Sequence, residues 1–399
     1  MIIERPSYYD DFKCIADKCD FTCCRDWTIA VDDNTFASWN DKTLPRQVAE
    51  ANNMSLDQTL TSFVETHNES RRIVLDNGKC PFLDCNGLCH IVSQYGEECL
   101  SKTCHTYPRE DIKFSDYELK NLTLSCKTVV KHLFDQSVFS VQSEKVSGDS
   151  FIDREDEHCP NYLIELQQWF YTLVGEYKDV SVADILKAVF YILLDLIEQD
   201  IDDENEDKYQ ELIGLYKNSA TIKKILDTIT DPSSQTDSLD RFVEDNELLM
   251  DLFVRYYEQG KYSEFIKPVF EKAEELEGLI EDGVAIELYE KYVKEIGDKY
   301  EDELKLIVAE ELWSSLIVSY YDIETMTVKV QWLAIELALL KHYMFIHYTI
   351  YGHLTKEELI HIVAVLFRTT GYCDDDIIEY LEDCFEDIIW EWGYMDLII

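Results

Sequence analysis

Apolar residues along this 399-residue chain follow two rhythms. Up to about residue 126 they are irregular and broken by turn residues. Within that region, residues 33–50 predict a helix capped by Asp32 or Asp33. Residues 71–75 read as a strand, followed by the turn signal Asp76-Asn77-Gly78. In CPFLDCNGLCHIV, two short apolar segments flank Asn86-Gly87, a pair favoured in hairpin turns, and such a hairpin brings Cys80 and Cys89 together. A polar stretch over 142–158 reads as a linker. Beyond it the period becomes helical. Val182, Ala183, Ile185, Leu186, Val189, Phe190 and Leu193 recur three and four apart, as one helix face requires, with Ser181 or Asp179 as cap. Similar faces recur near 207–217, 239–258, 262–278, 284–298, 301–320, 324–347, 355–368 and 375–391. Thr355 and Glu358 have the spacing of a capping box. The pattern contains no exact repeat and no sustained heptad. The expected fold is mainly α: an irregular cysteine-rich module with a small β-hairpin over 1–141, the linker over 142–158, and an acidic, all-helical part over 159–399.

Composition agrees with a packed protein. Hydrophobic residues make up 46% of the chain, with 25 Tyr, 18 Phe and 7 Trp, enough to build a core. The most apolar run, 332–351, carries Glu336, Lys341, His342 and His347, and so predicts a buried core helix rather than a membrane span. The start, MIIERPSYYDDFKC, lacks the apolar region of a secretory signal. A cytoplasmic protein is expected, where thiols stay reduced and disulfide scaffolding is disfavoured.

The net charge is −45, of which residues 151–399 contribute −37. A field of this sign repels nucleic acid and anionic membranes and attracts a lysine-rich partner; plain solubility explains it equally well.

Thirteen cysteines change the picture most. Ten lie in the first 126 residues: Cys14, Cys19, Cys23, Cys24, Cys80, Cys85, Cys89, Cys99, Cys104 and Cys126. Thiolate is a soft ligand that selects zinc, copper or iron–sulfur clusters. Structural zinc sites usually pair thiols two to four apart, twice. Here the first half fits that pattern loosely and the second half is scattered singly, which suits iron–sulfur ligation at least as well. Adjacent Cys23 and Cys24 point apart in most backbones, so at most one is an easy ligand of a given metal. His90 and His105, beside Cys89 and Cys104, are further candidate ligands. Cys159, Cys373 and Cys384 stand alone and read as buried small hydrophobes. There is no glycine-rich nucleotide loop, no P-loop and no G-x-S-x-G elbow, and the thiol spacing differs from that of radical S-adenosylmethionine enzymes.

In order, FKCIADKCDFTCCRDWTIAVD, CPFLDCNGLCHI, GEECLSKTCHTYPRE and LTLSCK resemble the signature of the flagellin lysine-N-methylases of FliB type, over roughly residues 8–130. The same cysteines resemble the broader group of zinc- or iron-chelating cysteine-cluster proteins. The resemblance implies methyl transfer from S-adenosylmethionine to lysine side chains of flagellin, with an iron–sulfur cluster, of 4Fe-4S type, involved. It assigns Cys14, Cys19, Cys23, Cys24, Cys80, Cys89, Cys104 and Cys126 as the metal set, more thiols than one four-iron cluster needs, and leaves open which four bind. Cys85 and Cys99 are extras, and His105 stands where the family more often has Arg.

Such chemistry needs a neutral lysine amine, and a sulfonium cofactor favours aromatic faces and carboxylates. Near the cysteine motifs, Tyr8, Tyr9, Trp27, Tyr95 and Tyr107 supply rings, and Arg109 supplies a guanidinium for the cofactor carboxylate or for cluster sulfurs. Trp27, Tyr107 and Arg109 are the cofactor-binding candidates; no residue is singled out as the catalytic base. Two other readings compete: a non-enzymatic zinc- or iron-binding protein whose acidic helices hold a basic partner, and an electron-transfer protein. Oligomeric state is left open.

Overall fold

The structure is a computed structural model describing residues 1–68, 70–146, 159–199, 201, 206–230, 237–317, 322–371, 374–385 and 390–399. Up to residue 145 the elements are short: β1 (Ile2–Pro6), α1 (Asp33–Trp39), α2 (Arg46–Ala51), β2 (Val64–His67), β3 (Ser70–Ile73), α3 (His90–Tyr95), α4 (Lys102–Thr106), β4 (Arg109–Lys113), β5 (Tyr117–Leu122), α5 (Lys127–Phe134) and β6 (Val141–Lys145). Among the described residues only helices follow: α6 (Asn161–Glu176), α7 (Val182–Glu198), α8 (Glu206–Tyr216), α9 (Ser219–Ile229), α10 (Ser238–Glu258), α11 (Ser263–Glu277), α12 (Val284–Ile296), α13 (Glu301–Ser314), α14 (Ile323–Tyr351), α15 (Lys356–Thr370), α16 (Asp374–Phe385) and α17 (Trp392–Ile398). The mainly helical fold, with its described strands confined to the N-terminal part, is the one the sequence predicts.

The chain forms two compact units. One comprises Asp11–Glu110 with Cys126–Val129; the other comprises Met1–Asp10, Asp111–Ser125 and Val130–Ile399. In the larger unit, α14 is the central element and packs against α7, α10, α11, α12, α13, α15 and α17. Nearly every residue from Ile323 to Ile346 is buried, so this helix has no polar face. The Phe345 ring lies 5.9, 5.3 and 5.6 Å from those of Phe242, Tyr289 and Tyr292. Burial pulls His342 down to about 3, so it is neutral and bonds Asn246 at 3.0 Å. Ser181 caps α7, and the Thr355–Glu358 capping box starts α15 as the spacing predicts. No described helix is long and apolar enough to cross a membrane.

A four-stranded sheet, in the order β4-β5-β1-β6, is absent from the sequence reading. Strand β1 runs parallel to β5, with Ile2 opposite Tyr117, and antiparallel to β6, with Ile2 opposite Lys145. The first residues of the polar stretch at 142–158 therefore form an outer strand, while 147–158 lie outside the described residues.

In the smaller unit, the single helix expected over 33–50 is two. Asp32 caps α1, which ends at Trp39, and Pro45 stands at the cap of α2. Proline supplies no N–H to continue a helix but fits at its start, so the break follows from its ring. The strand expected at 71–75 is β3, paired antiparallel with β2. Trp39, Leu60, Phe82 and Ile91 are the centre of this unit's apolar core.

Candidate metal centre

Cys24, Cys80, Cys89 and Cys104 are positioned by three devices: a backbone pairing, a turn and a capped helix. The backbone N–H of Cys80 donates to the Cys24 carbonyl at 2.9 Å, and that of Asp26 to the Gly78 carbonyl at 2.8 Å. The two segments thus run side by side. Gly78 turns at φ +75°, and a Cβ there would collide with the Asp26 carboxylate. Cys89 arrives by the turn at Asn86-Gly87. Asp84 Oδ1 accepts from Asn86 N at 2.7 Å and Leu88 N at 2.8 Å, and Leu83 and Cys89 form one isolated bridge. The expected hairpin is therefore a side-chain-held turn without strands, yet it performs the approximation of Cys80 and Cys89 expected of it. Cys104 sits in α4, where its N–H donates to the capping Ser101 hydroxyl at 3.2 Å. Asp32 anchors that helix. Its Oδ2 accepts Lys102 N at 2.9 Å and the Thr35 hydroxyl at 2.7 Å, while Oδ1 accepts Thr35 N at 3.0 Å. Desolvation nudges the Asp32 carboxyl upward, but these hydrogen bonds outweigh it and hold the group at about 2.

These thiols act electrostatically on one another. Cys80 feels Cys24, Cys104 and Cys89; Cys104 feels Cys24 and Cys89; Cys89 feels Cys24 and Cys99. Burial against the apolar core pushes Cys80 well above the ordinary thiol value, raises Cys89, and lifts Cys104 to about 11, with the neighbouring thiols adding to each rise. Desolvated thiols this close resist ionising together. A bound cation reverses that logic and takes them as thiolates. Among the described residues, no group of three or more Cys, His, Asp or Glu side chains is already placed to hold a metal ion.

The other cysteines of the predicted set differ in exposure. Cys14 is exposed, and Cys19, Cys23 and Cys126 are half-buried. An ion pair from Lys127 Nζ to both oxygens of Asp20, at 2.9 and 3.1 Å, ties the Cys126 segment to the one carrying Cys19 and Cys23. The extras differ from each other. Cys85 is exposed, whereas Cys99 is buried, raised chiefly by desolvation, and gives its carbonyl to Trp39 Nε1 at 2.8 Å. Of the three outlying cysteines, Cys159 is buried as expected, Cys384 is exposed against expectation, and Cys373 lies outside the described residues. Cys384 belongs to α16, whose sequence DDDIIEYLEDCF places it on the solvent side of an amphipathic helix.

Trp27 and Tyr107 meet, with ring centroids 5.0 Å apart and planes tilted by 55°. Trp27 Nε1 donates to the Cys23 carbonyl, which sets the ring against the cysteine segment. The Arg109 guanidinium lies 5.3 Å from the Phe12 centroid. Tyr95 instead bonds the Thr43 carbonyl at 2.7 Å, a packing role, and Tyr8 is buried. His105 is exposed and His90 half-buried at the start of α3. Sequence reasoning missed Asp32 as the anchor of α4; its only sequence signal is its cap position.

Comparison with known proteins adds the following. Residues 179–398 match the family model described as the FliB lysine N-methylase C-terminal domain. The chain is 26% identical over 167 residues to the "Flagellar biosynthetic protein FliU" of Salmonella muenchen, covering 41% of this chain and 95% of that protein. It is 26% identical over 145 residues to proteins named "Lysine-N-methylase" in Salmonella typhimurium and Salmonella choleraesuis, covering 36% of this chain and 35% of each. The chain therefore spans about a third of the length of those two lysine-N-methylases. No solved structure matches.

Proposed function

The chain belongs to the FliB lysine N-methylase family, and from that premise we propose that it methylates lysine side chains of flagellin, with S-adenosylmethionine as donor and an iron–sulfur cluster held by its N-terminal cysteines. The observation that carries the reading is the family match over 179–398, supported by the lysine-methylase and flagellar names of its relatives. Cys24, Cys80, Cys89 and Cys104 are the ligands of choice. They are four soft donors that couple electrostatically and sit against an apolar core. When bound, such a cluster supplies a redox-active centre that also fixes the loops carrying its ligands.

In the reaction the neutral ε-amine attacks the sulfonium methyl carbon. The carbon–sulfur bond breaks, the N–C bond forms, and S-adenosylhomocysteine and one proton leave. Lysine is almost wholly protonated at neutral pH, so the site must shed that proton or desolvate the amine. The paired rings of Trp27 and Tyr107 offer π faces to a cation, and Arg109 offers a two-pronged donor to the cofactor carboxylate. The acidic residues 151–399, at −37, draw a basic protein surface toward the molecule.

Iron, acid-labile sulfide and zinc are to be measured per chain on anaerobically purified protein, with and without S-adenosylmethionine. Iron and sulfide in matching amounts, together with saturable cofactor binding, are expected. Zinc without sulfide, or no cofactor binding, overturns this reading in favour of a cysteine-stapled binding protein.

A further inference from the structure

The eight thiols that the family signature implies exceed what one four-iron cluster takes, and the fold divides them. Cys24, Cys80, Cys89 and Cys104 are placed by the backbone pairing, the turn and the capped helix, and Cys24 acts on each of the other three. The remaining four are Cys14, Cys19, Cys23 and Cys126. Cys23 directly precedes Cys24, and side chains of adjacent residues rarely reach one metal together. With Cys24 engaged in the inner set, Cys23 is available to a different ion.

Three of these four thiols lie in one loop. Cys14 and Cys19 are separated by four residues, and Cys19 and Cys23 by three, the short spacing that structural zinc sites use. The loop folds back between the first two. Ala16 stands in the left-handed region at φ +48°, its N–H donates to Cys14 Sγ at 3.4 Å, and its carbonyl accepts from Cys19 N at 3.0 Å. An N–H aimed at sulfur is the outer support that orients a metal-bound thiolate and tempers its charge. The fourth thiol comes from far along the chain. Residues 111–125 and 130–399 belong to the larger unit, yet Cys126–Val129 belongs to the smaller one. Lys127 fixes that excursion. Its side chain is 12% exposed, and its ammonium spans both oxygens of Asp20, the residue after Cys19, at 2.9 and 3.1 Å. Cys126 is thereby tied to the loop that carries the other three. Lysines adjoin three of the four, in Lys13-Cys14, Lys18-Cys19 and Cys126-Lys127, although acids outnumber bases in this chain by 81 to 36. Positive charge beside a thiol favours the thiolate that a metal takes.

We propose that Cys14, Cys19, Cys23 and Cys126 make a second metal centre, a structural zinc site distinct from the cluster of Cys24, Cys80, Cys89 and Cys104. Closely spaced ligands in one loop, closed by a single remote thiol, suit one tetrahedral ion. Zinc carries no redox chemistry, which suits a site whose thiols are exposed or half-buried. Like the inner set, these thiols are not already drawn around one point, and the ion closes them, displacing the proton of each thiol not yet ionised. Its role is to hold Cys126–Val129 within the smaller unit. The division into two sets rests on the cluster assignment of the methylation reading.

The test is metal analysis of the full chain, purified anaerobically with iron and zinc both supplied, together with X-ray absorption at the zinc edge. The parent is expected to carry one zinc per chain beside its iron and sulfide, with four sulfurs at about 2.3 Å from the zinc. Cys126→Ser and Cys19→Ser are expected to lose most of the zinc and keep iron and sulfide. Cys80→Ser is expected to do the reverse. Cys14→Ser, at an exposed position, repeats the test where misfolding is not at stake. The inference fails if the parent holds no zinc, if its zinc is bound by nitrogen and oxygen, or if Cys14→Ser and Cys126→Ser keep their zinc or lose iron and sulfide instead. Zinc retained with four sulfurs by a parent chain that holds no iron would overturn the methylation reading and leave this site standing.

Discussion

At the scale of single residues, Cys80 is the thiol on which the metal proposal turns. It is 6% exposed and couples to three other cysteines. Cys80→Ser, Cys24→Ser, Cys89→Ser and Cys104→Ser are each expected to lose most bound iron and sulfide, whereas Cys85→Ser, at an exposed extra position, keeps the parent content. Elemental analysis of the purified variants checks this. A second residue-scale prediction concerns Glu4, a buried carboxylate that accepts from the Tyr117 hydroxyl at 2.9 Å, Gln168 Nε2 at 3.0 Å and Trp313 Nε1 at 3.4 Å. Tyr117→Phe removes one of these bonds and leaves the carboxylate short of a donor. A loss of about 1–3 kcal/mol is expected in urea unfolding. The sequence made the thiols legible as soft ligands because cysteine chemistry is local. It did not show how Cys24, Cys80 and Cys104 are placed, because Cys24 and Cys80 are joined by a backbone bond between distant segments and Cys104 is positioned through Asp32.

At the scale of elements, periodicity was readable wherever one helix face meets water. Helix α7 and its Ser181 cap, and α15 with its capping box, follow the pattern closely. The exchange of one long helix for α1 and α2 reflects Pro45, whose steric effect outweighs the apolar spacing around it. The sheet was invisible because β1 pairs with β5 and β6, each more than a hundred residues onward, and register between such partners leaves no local trace. Two predictions belong to this scale. Thr355→Ala removes the α15 cap and is expected to cost about 0.5–2 kcal/mol in chemical unfolding. Asp32 joins α1 to α4, and its depressed pKa fixes the sign of its acid response. Its contribution is complete above the unfolded aspartate value of about 3.9, and is lost as pH falls through about 2. Acid unfolding followed by tryptophan fluorescence is expected to depend less steeply on pH between those limits in Asp32→Asn. Equal slopes would show that the carboxylate does not hold α4.

At the scale of the whole molecule, the charge of −45 dominates. Self-repulsion of that size opposes compaction and is screened as the Debye length falls to about 8 Å at physiological ionic strength. The melting temperature is therefore expected to rise with sodium chloride from low salt. Association with a basic protein surface is expected to slow over the same range, which stopped-flow mixing would read. Both trends follow from the acidic helical part, whatever it binds. The most direct test of the central claim is mass spectrometry of flagellin after incubation with the cluster-loaded protein and S-adenosylmethionine. Methyl additions confined to lysines, absent without the cofactor and absent with Cys80→Ser, are the predicted result. Flagellin left unmodified by protein that demonstrably carries both its cluster and its cofactor would contradict it.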